Sequence, residues 1–256
     1  MILAIDIGNS NIVLGCIQDS VILFEARMAT DRIKTGDQYC VELKSMLELF
    51  HVSLAEIDGC IVSSVVPQVQ QAMVGAVERL IGKPCLTVGP GLKTGLQIKI
   101  DNPAQAGSDL IVGAVAAIER YGAPLCIIDL GTATTICVIG RDGAFLGGSI
   151  APGVMLSLNA LSSGTAQLPG ISLEQPKKVI GTNTVDSMRS GLLLGSAAML
   201  DGMLERIEEE LGYPTRVVAT GGLARFIIPL CKRRIEIDEN MLLRGLEILY
   251  RKNVRS

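Results

Sequence analysis

The chain has no tryptophan, only four phenylalanines and four tyrosines, and a single histidine among its 256 residues. Proteins commonly stack nucleic-acid bases on aromatic side chains. The scarcity of aromatic residues in this sequence therefore argues against that mode of nucleic-acid binding. The core has to be built from Val, Ile, Leu, Ala and Met, which favours a layered α/β architecture over an aromatic-rich β-sandwich. A histidine-dependent mechanism would rest on His51 alone, and His51 follows a helical pattern that predicts a helix end or a surface position.

The formal net charge of the chain is −3, and its composition does not predict a basic surface that would bind a polyanion. No apolar run reaches the roughly 18 residues of a membrane span, and a strand-like run begins at residue 2 where a signal peptide would need a basic leader. The seven cysteines include no C-x-x-C pair, and most lie in apolar runs typical of reduced thiols. We therefore expect a cytoplasmic protein with neither a nucleic acid nor a membrane as partner.

Two similar short sequence motifs occur, one in each half of the chain. The first copy, residues 6–10, reads Asp-Ile-Gly-Asn-Ser, and the second, residues 129–135, reads Asp-Leu-Gly-Thr-Ala-Thr-Thr. Each copy is preceded and followed by an apolar, β-prone run, which predicts a hairpin with an acidic turn. Glycine allows backbone N–H groups to approach a phosphate closely, and hydroxyl groups add donors. The carboxylate repels phosphate, so its natural partner is a cation or a water molecule. The pair predicts a duplicated fold that holds a nucleotide.

Periodicity and breaker residues predict the elements between these turns. Strands are expected at about 2–7, 11–17, 20–28, 58–63, 85–88, 144–150 and 217–219, and helices at about 37–50, 68–82, 109–121, 184–211 and 239–251. Alternation of strands and helices predicts sheets that are at least partly parallel. We place a domain boundary inside the helix near residue 115, which gives an N-terminal domain over 1–115 and a C-terminal domain over 116–256.

Two further glycine-rich loops, at 147–153 and 220–222, accompany the two acidic turns. Together the four loops resemble those of the actin, sugar-kinase and heat-shock ATPase superfamily. The resemblance implies an α/β fold of two similar ribonuclease H-like domains, each with a phosphate hairpin, with ATP in the cleft between them.

The order of the short motifs narrows the resemblance to type III pantothenate kinase and covers nearly the whole chain. The motifs are D-x-G-N-S at residue 6, S-S-V-V-P at 63, G-P-G-L-K-T-G at 89, N-P at 102, G-S-D at 107, D-L-G-T-A-T-T at 129, G-G-S-I-A-P-G at 147, T-A-Q-L-P at 165, G-T-N-T at 181 and T-G-G at 220. This family phosphorylates pantothenate to 4′-phosphopantothenate with ATP, in the first step of coenzyme A biosynthesis. It implies a homodimer, Mg²⁺, and K⁺ or NH₄⁺ as monovalent cation.

The same resemblance implies the roles of individual residues. Asp109 corresponds to the general base, Asp129 to the monovalent-cation ligand and Thr132 to an ATP contact. Thr184 corresponds to a residue that reaches the substrate across the dimer interface. The ATP-phosphate loop corresponds to Asp6, Ile7, Gly8, Asn9, Ser10, Asn11, Ile12 and Val13, and the substrate loop to Gly107, Ser108, Asp109 and Leu110, with Ile100 before it.

The chain departs from the family pattern in the acceptor half. Leu110 stands where the family usually has Arg, Ile100 where it commonly has Tyr, and Gly113 where it has Asn. An Arg is the best-suited bidentate partner of a carboxylate such as that of pantothenate. The alternatives are therefore a pantothenate kinase with weakened acceptor binding, a diverged paralogue with another acceptor, a non-catalytic nucleotide-binding regulatory protein, or an ATPase assembly module.

Overall fold

The computed structural model describes residues 1–254. The chain divides into two compact units. Unit 1 comprises residues 1–96, 101–120 and the chain from 240 onward, and unit 2 comprises residues 97–100 and 121–239. Each unit has its own five-stranded sheet.

The sheet of unit 1 is mixed. Its strands are β1 (Ile2–Ile7), β2 (Asn11–Gln18), β3 (Val21–Ala29), β4 (Gly59–Ser64) and β5 (Cys85–Thr87), in the spatial order β3-β2-β1-β4-β5. The first three strands form an antiparallel meander, whereas β1 pairs with β4, and β4 with β5, in parallel. The parallel pairs confirm what the alternation of strands and helices predicts.

Helices cover both faces of this sheet. They are α1 (Gly36–Leu49), α2 (Pro67–Ile81), α3 (Ser108–Tyr121) and a C-terminal helix (Met241–Val254). A capping box between Thr35 and Gln38 starts α1. Pro67 occupies the first turn of α2, where its missing N–H costs nothing, and Gly82 ends that helix with φ of 66°.

Strand β1 supplies side chains to two apolar clusters, because successive residues point to opposite faces. Leu3, Ile5 and Ile7 pack with residues of α1 and α2. Ala4 packs on the other face, with residues of α3 and of the C-terminal helix. Unit 1 is therefore a three-layer α/β/α structure, and its core is aliphatic, as the composition predicts.

The sheet of unit 2 repeats this arrangement. Its strands are β6 (Leu125–Leu130), β7 (Ala133–Ile139), β8 (Phe145–Pro152), β9 (Arg216–Thr220) and β10 (Glu236–Ile237), in the order β10-β9-β6-β7-β8. The meander β6-β7-β8 is antiparallel, and β9 pairs in parallel with β6 and with β10. The same pairing pattern in both units is the duplication that the two acidic turns predict.

The helices of unit 2 include one long segment with a local irregularity. They are α4 (Val154–Gly164), α5 (Thr184–Arg189), α6 (Gly195–Leu211) and α7 (Ala224–Ile227). The C-terminal helix of unit 1, Met241–Val254, is α8 in chain order. The five residues Ser190–Leu194 form a π-helix that joins α5 to α6. The helix predicted over 184–211 is thus continuous but not uniformly α-helical. Residues 165–183 contain neither helix nor strand.

The predicted domain ranges, 1–115 and 116–256, differ from these units in three respects. The units are separated at 120/121 and not at 115/116, the segment from 240 onward belongs to unit 1, and residues 97–100 belong to unit 2. Helix α8 is amphipathic. Its buried apolar side chains, Leu243, Leu246 and Leu249, belong to the same hydrophobic cluster as Ala4 of β1. An amphipathic pattern shows that a helix buries one face but does not show which sheet receives it.

None of the seven cysteines, which all lie within residues 1–254, forms a disulfide bond. Within residues 1–254, no helix combines the length and the hydrophobicity that a membrane crossing requires.

Candidate active site

The turn between β1 and β2 forms the first predicted phosphate loop. The N–H of Gly8 donates to the carbonyl oxygen of Asn11 at 3.0 Å and closes the turn. The side chains of Asn9, Ser10 and Asn11 are exposed. Ile7 and Ile12, by contrast, are buried in the core, and Val13 is half-buried. These three apolar residues of the predicted phosphate loop can therefore contact a bound phosphate only through their backbone groups.

Two residues that the sequence does not single out brace this turn. The hydroxyl of Thr30 donates to the carbonyl oxygen of Gly8 at 2.7 Å, and the N–H of Thr30 donates to that of Ser10 at 3.0 Å. The Arg32 Nη2 donates to Asn9 Oδ1 at 3.3 Å. Thr30 follows β3, which pairs with β2, so the contact depends on strand register and leaves no local signature in the sequence.

Asp6 lies at the end of β1, beside the end of β4. Its side chain is buried, at 6% exposure, and its backbone pairs with Val13 on one side and Ser63 on the other. The N–H of Val65 donates to the carbonyl oxygen of Ile7 at 3.0 Å. The acidic turn of unit 1 is therefore fixed to β4 as well as to β2.

Asp109 occupies the first turn of α3, and its carboxylate turns back toward the start of the helix. Oδ1 accepts a hydrogen bond from the N–H of Leu110 at 2.8 Å. A β-carbon built on Gly107 would lie 2.5 Å from this oxygen, so the carboxylate takes this position only because residue 107 is glycine. Burial raises the pKa of Asp109, although the backbone N–H groups at the helix start act to lower it. A raised pKa suits a general base that works near neutral pH.

The other residues of the predicted substrate loop lie around this carboxylate. Leu110 is half-buried, with Cγ 3.6 Å from the β-carbon position on Gly107. The hydroxyl of Ser108 points to the end of β4 and bonds with Ser63 and Ser64. Asp109, Leu110 and Gly107 thus form one local surface at the start of α3.

Ile100 belongs to unit 2. It is half-buried, and its Cγ2 lies 3.6 Å from the β-carbon position on Gly147. The preceding residue, Lys99, pairs with Asp142 at 2.6 Å. Arg189 is likewise engaged, with Glu174 at 3.0 Å and with the hydroxyl of Ser172. The cationic side chains of Lys99 and Arg189 therefore both have carboxylate partners within unit 2.

The turn between β6 and β7 forms the second predicted loop. The N–H of Gly131 donates to the carbonyl oxygen of Ala133 at 3.1 Å, and Thr132 is exposed at the tip. Three glycine-rich turns converge here. A β-carbon on Gly153 would lie 2.3 Å from the Thr132 carbonyl oxygen, and one on Gly221 would lie 2.5 Å from Asp129 Oδ1. These glycines allow the backbone to close around the Asp129 carboxylate.

Thr184 begins α5, behind the N-cap Asn183, whose Oδ1 accepts from the N–H of Asp186 at 2.9 Å. Its side chain is exposed and borders an open groove of about 700 Å³. Apolar side chains line much of this groove: Leu161, Leu168, Met188 and Leu192.

The sequence was compared with known protein families and solved structures. The profile of the family described as type III pantothenate kinase matches residues 2–206. The chain belongs to the type III pantothenate kinase family. A type III pantothenate kinase from Halalkalibacterium halodurans is 43% identical over 254 residues, which cover 99% of this chain and 100% of that protein.

Two solved structures show the fold at low sequence identity. One, described as a 2-dehydro-3-deoxygalactonokinase from Sinorhizobium meliloti, has a TM-score of 0.62 at 15% identity and covers 100% of this chain and 98% of its own. Component A of the (R)-2-hydroxyglutaryl-CoA dehydratase from Acidaminococcus fermentans has a TM-score of 0.58 at 14% identity, with 97% and 96% covered. This pantothenate kinase family member therefore has a two-unit α/β fold similar to the folds of these two proteins, as the sequence predicts.

Proposed function

We propose that this chain transfers the γ-phosphoryl group of ATP to the primary hydroxyl of pantothenate and forms 4′-phosphopantothenate, the first step of coenzyme A biosynthesis. The full-length 43% identity to a type III pantothenate kinase supports the substrate and the reaction. The structural observation that carries the proposal is the Asp109 carboxylate, half-buried beside Gly107 at the start of α3. None of the seven cysteines forms a disulfide bond, which is consistent with a reaction in the reducing cytoplasm.

Asp109 is the general base in this proposal. Its carboxylate accepts the hydroxyl proton of pantothenate as the oxygen forms its bond to the γ-phosphorus, while the bond from that phosphorus to the ADP oxygen breaks. Phosphoryl transfer needs little covalent chemistry from the protein, because most of the rate comes from positioning and from charge neutralisation. The raised pKa of Asp109 makes it a better proton acceptor than an ordinary aspartate.

The hairpin of residues 6–13 binds the phosphates of ATP, and Thr132 supplies a further contact to the nucleotide. Asn9, Ser10 and Asn11 offer exposed side-chain donors, whereas the buried Ile7 and Ile12 contribute through the backbone. Braces from Thr30 and Arg32 keep the turn in shape before the nucleotide arrives. Such preorganisation lowers the entropy cost of binding.

The two acidic turns suit the cations that the reaction needs. Among residues 1–254, no group of three or more His, Cys, Asp and Glu side chains could hold a metal on its own. Mg²⁺ binds kinases through one or two carboxylates together with the substrate phosphates, and Asp6 is the carboxylate that the first turn would contribute. At the second turn Asp129 and the surrounding carbonyl groups offer oxygen atoms to K⁺ or NH₄⁺. Both cations would neutralise the charge that gathers on the transferring phosphoryl group.

Pantothenate contacts Gly107 and Leu110 beside the start of α3 in unit 1, and Ile100 is a further contact that the family resemblance implies. Leu110 and Ile100 make this acceptor site more apolar than that of relatives with Arg and Tyr at these positions. Thr184 completes the site from a second copy of the chain.

The proposed homodimer has support from the surface of unit 2. Val179 and Ile180 are 74% and 81% exposed, and Ile150, Met155 and Leu156 are exposed as well. Apart from the chain neighbours and the backbone of the same helix, no described atom lies within 4 Å of a β-carbon built on Gly191 in the π-helix or on Gly195 at the start of α6, so another helix could approach closely there. Met188 and Leu192 pack in the core of unit 2 with only 7% and 6% of their surface exposed, so they add little to the area that a partner could cover.

The direct test is to follow ADP release with and without pantothenate and to identify the product by mass spectrometry. We expect pantothenate-dependent ADP release and a product heavier than pantothenate by one phosphoryl group. ATP turnover that pantothenate does not stimulate would indicate another acceptor. Failure to bind an ATP analogue in the presence of Mg²⁺ would contradict the proposal altogether.

A further inference from the structure

The hydroxyl of Ser108 makes three hydrogen bonds at the end of β4. Its Oγ donates to the carbonyl oxygen of Ser64 at 2.9 Å and accepts from the N–H of Ser64 at 3.2 Å. The hydroxyl of Ser63 donates to it at 3.1 Å. A carbonyl oxygen can only accept and a backbone N–H can only donate, so the direction of all three bonds is fixed.

This arrangement uses the whole hydrogen-bonding capacity of the Ser108 side chain. A serine hydroxyl has one donor and two acceptor sites, and each of the three is occupied. Ser108 therefore has no free site for pantothenate, in contrast to the direct substrate contact that the family resemblance implies. Its side chain serves contacts within the protein.

The three bonds connect two parts of the proposed site within unit 1. In the parallel pairing of β1 with β4, Ser63 lies opposite Asp6 and Ser64 lies opposite Ile7. Asp6 and Ile7 open the phosphate hairpin. Ser108 is the first residue of α3, directly before Asp109. The hydroxyl thus links the helix that holds the base to the strand beside the hairpin.

We propose that Ser108 is a positioning residue that holds the Asp109 carboxylate at a fixed place relative to the phosphate hairpin of residues 6–13. The inference rests on the proposed function, because it gives Asp109 the role of base. Without the Ser108 hydroxyl, the first turn of α3 loses its tie to β4, and the half-buried Asp109 becomes better hydrated. Hydration favours the ionised carboxylate, so its pKa falls toward the ordinary value.

The experiment compares Ser108→Ala with three other variants. Ser108→Thr keeps the hydroxyl, Ser63→Ala removes one of the three bonds, and Ser45→Ala removes an exposed serine from α1. For Ser108→Ala we expect kcat to fall about tenfold or more, because a misplaced catalytic group loses rate steeply with small displacements. The KM for ATP should stay within about twofold, and the acid limb of the pH–rate profile should move to lower pH. Ser108→Thr should keep most of the parent's kcat. The kcat of Ser63→Ala should lie between those of the parent and Ser108→Ala, and the kcat of Ser45→Ala should equal that of the parent.

Other outcomes would overturn the inference. A raised KM for pantothenate with an unchanged kcat and acid limb would make Ser108 a substrate contact. A lower melting temperature with an unchanged kcat and acid limb would make it a stabilising residue only.

A second readout is independent of the proposed function. Amide hydrogen exchange at Asp109 and Leu110 should become faster by about tenfold in Ser108→Ala, since a net hydrogen bond is worth about that factor. The carboxyl pKa of Asp109, followed by NMR, should fall in the same variant. If the parent proved inactive toward pantothenate, the proposed function would fail while these measurements still decided whether Ser108 holds Asp109. Unchanged exchange and an unchanged pKa would refute the positioning role.

Discussion

A β-carbon on Gly221 would come within 2.5 Å of Asp129 Oδ1. Gly107 has the same relationship to Asp109 Oδ1, also at 2.5 Å. In each unit, the acidic side chain with a proposed role occupies space that only glycine leaves free. Gly221 has a further reason to be glycine, because its φ of 95° is unfavourable for any residue with a side chain.

Replacement of Gly221 by alanine should therefore weaken the response to the monovalent cation. The parent enzyme should be more active with K⁺ or NH₄⁺ than with Na⁺ at matched ionic strength. In Gly221→Ala the Asp129 carboxylate must move, so we expect the K⁺ concentration for half-maximal activity to rise about tenfold, the worth of one displaced charged contact. A K⁺ titration of the rate measures this. Gly164→Ala is the control, because, apart from its chain neighbours and the backbone of its own helix, no described atom lies within 4 Å of the new methyl group. Equal rates of the parent in K⁺ and Na⁺ would contradict the role of Asp129.

The acceptor site should respond to a restored arginine. We expect Leu110→Arg, with Ile100→Tyr added, to lower the KM for pantothenate by about tenfold, because Arg forms a charge-assisted pair with a carboxylate. The KM for ATP should stay unchanged. Steady-state kinetics with both substrates varied provides the measurement, and Leu110→Met, which stays apolar at similar volume, is the control. If the double variant no longer uses pantothenate, the pocket differs at more positions, and an uncharged pantothenamide-like alcohol becomes the acceptor to try.

The oligomeric state should depend on the exposed apolar residues of unit 2. We expect a two-chain mass for the parent by light scattering at micromolar concentration. Ile180→Glu should shift the mass toward one chain, because a buried and unpaired charge is costly at an interface. Val41→Glu changes a residue of α1 that is also exposed, at 66%, and should leave the mass unaltered. A one-chain mass for the parent would refute the dimer and the assignment of Thr184 to a second copy.

A pair of charges at the end of α6 should make the stability of the protein depend on pH. Arg233 Nη1 and Nη2 each lie 2.7 Å from a carboxylate oxygen of Glu208, which also accepts from Thr215. The Arg233 hydrogen bonds lower the pKa of Glu208 from 4.5 to about 2. A folded-state pKa below the unfolded value means that the stabilisation is complete above pH 4.5 and is lost as the pH falls toward 2.

Glu208→Gln should accordingly lower the free energy of unfolding at neutral pH by about 1.5–3 kcal/mol, the range for a hydrogen bond to a charged group. The difference in the free energy of unfolding between Glu208→Gln and the parent should shrink as the pH falls from 4.5 toward 2. Denaturant unfolding at a series of pH values measures it. Glu205→Gln, at an exposed position of the same helix, is the control. A difference that stayed constant down to pH 2 would show that the Glu208 charge is not its source.

The local pattern of the sequence predicts most of the fold, and it does so for physical reasons. Strands such as Ile2–Ile7 and helices such as α2 carry their own periodicity and their own stop signals. The π-helix at Ser190–Leu194 lies inside a helical pattern that shows no break, so the sequence predicts only the continuous helix. The position of α8 in unit 1 depends on packing between residues more than a hundred positions apart.

The candidate site shows the same limit. The acidic turns and Asp109 carry motif signals, and the structure places them at a hairpin turn or a helix start. The braces from Thr30 and Arg32, and the bonds from Ser108 to β4, depend on strand register and helix placement. The direction of the pKa shift of Asp109 also cannot be predicted from the local sequence. The helix N-terminus favours ionisation, but burial, which only the folded chain creates, has the larger effect.

The most direct test of the central claim is the rate of pantothenate-dependent ADP release by the parent and by Asp109→Asn. The amide keeps the shape of the side chain but cannot accept the hydroxyl proton. We predict that the rate falls by a factor of about 10² to 10⁴, the usual contribution of a general base, while the affinity for an ATP analogue stays within about twofold. A variant that keeps the parent rate, or that loses ATP affinity as much as rate, would contradict the account.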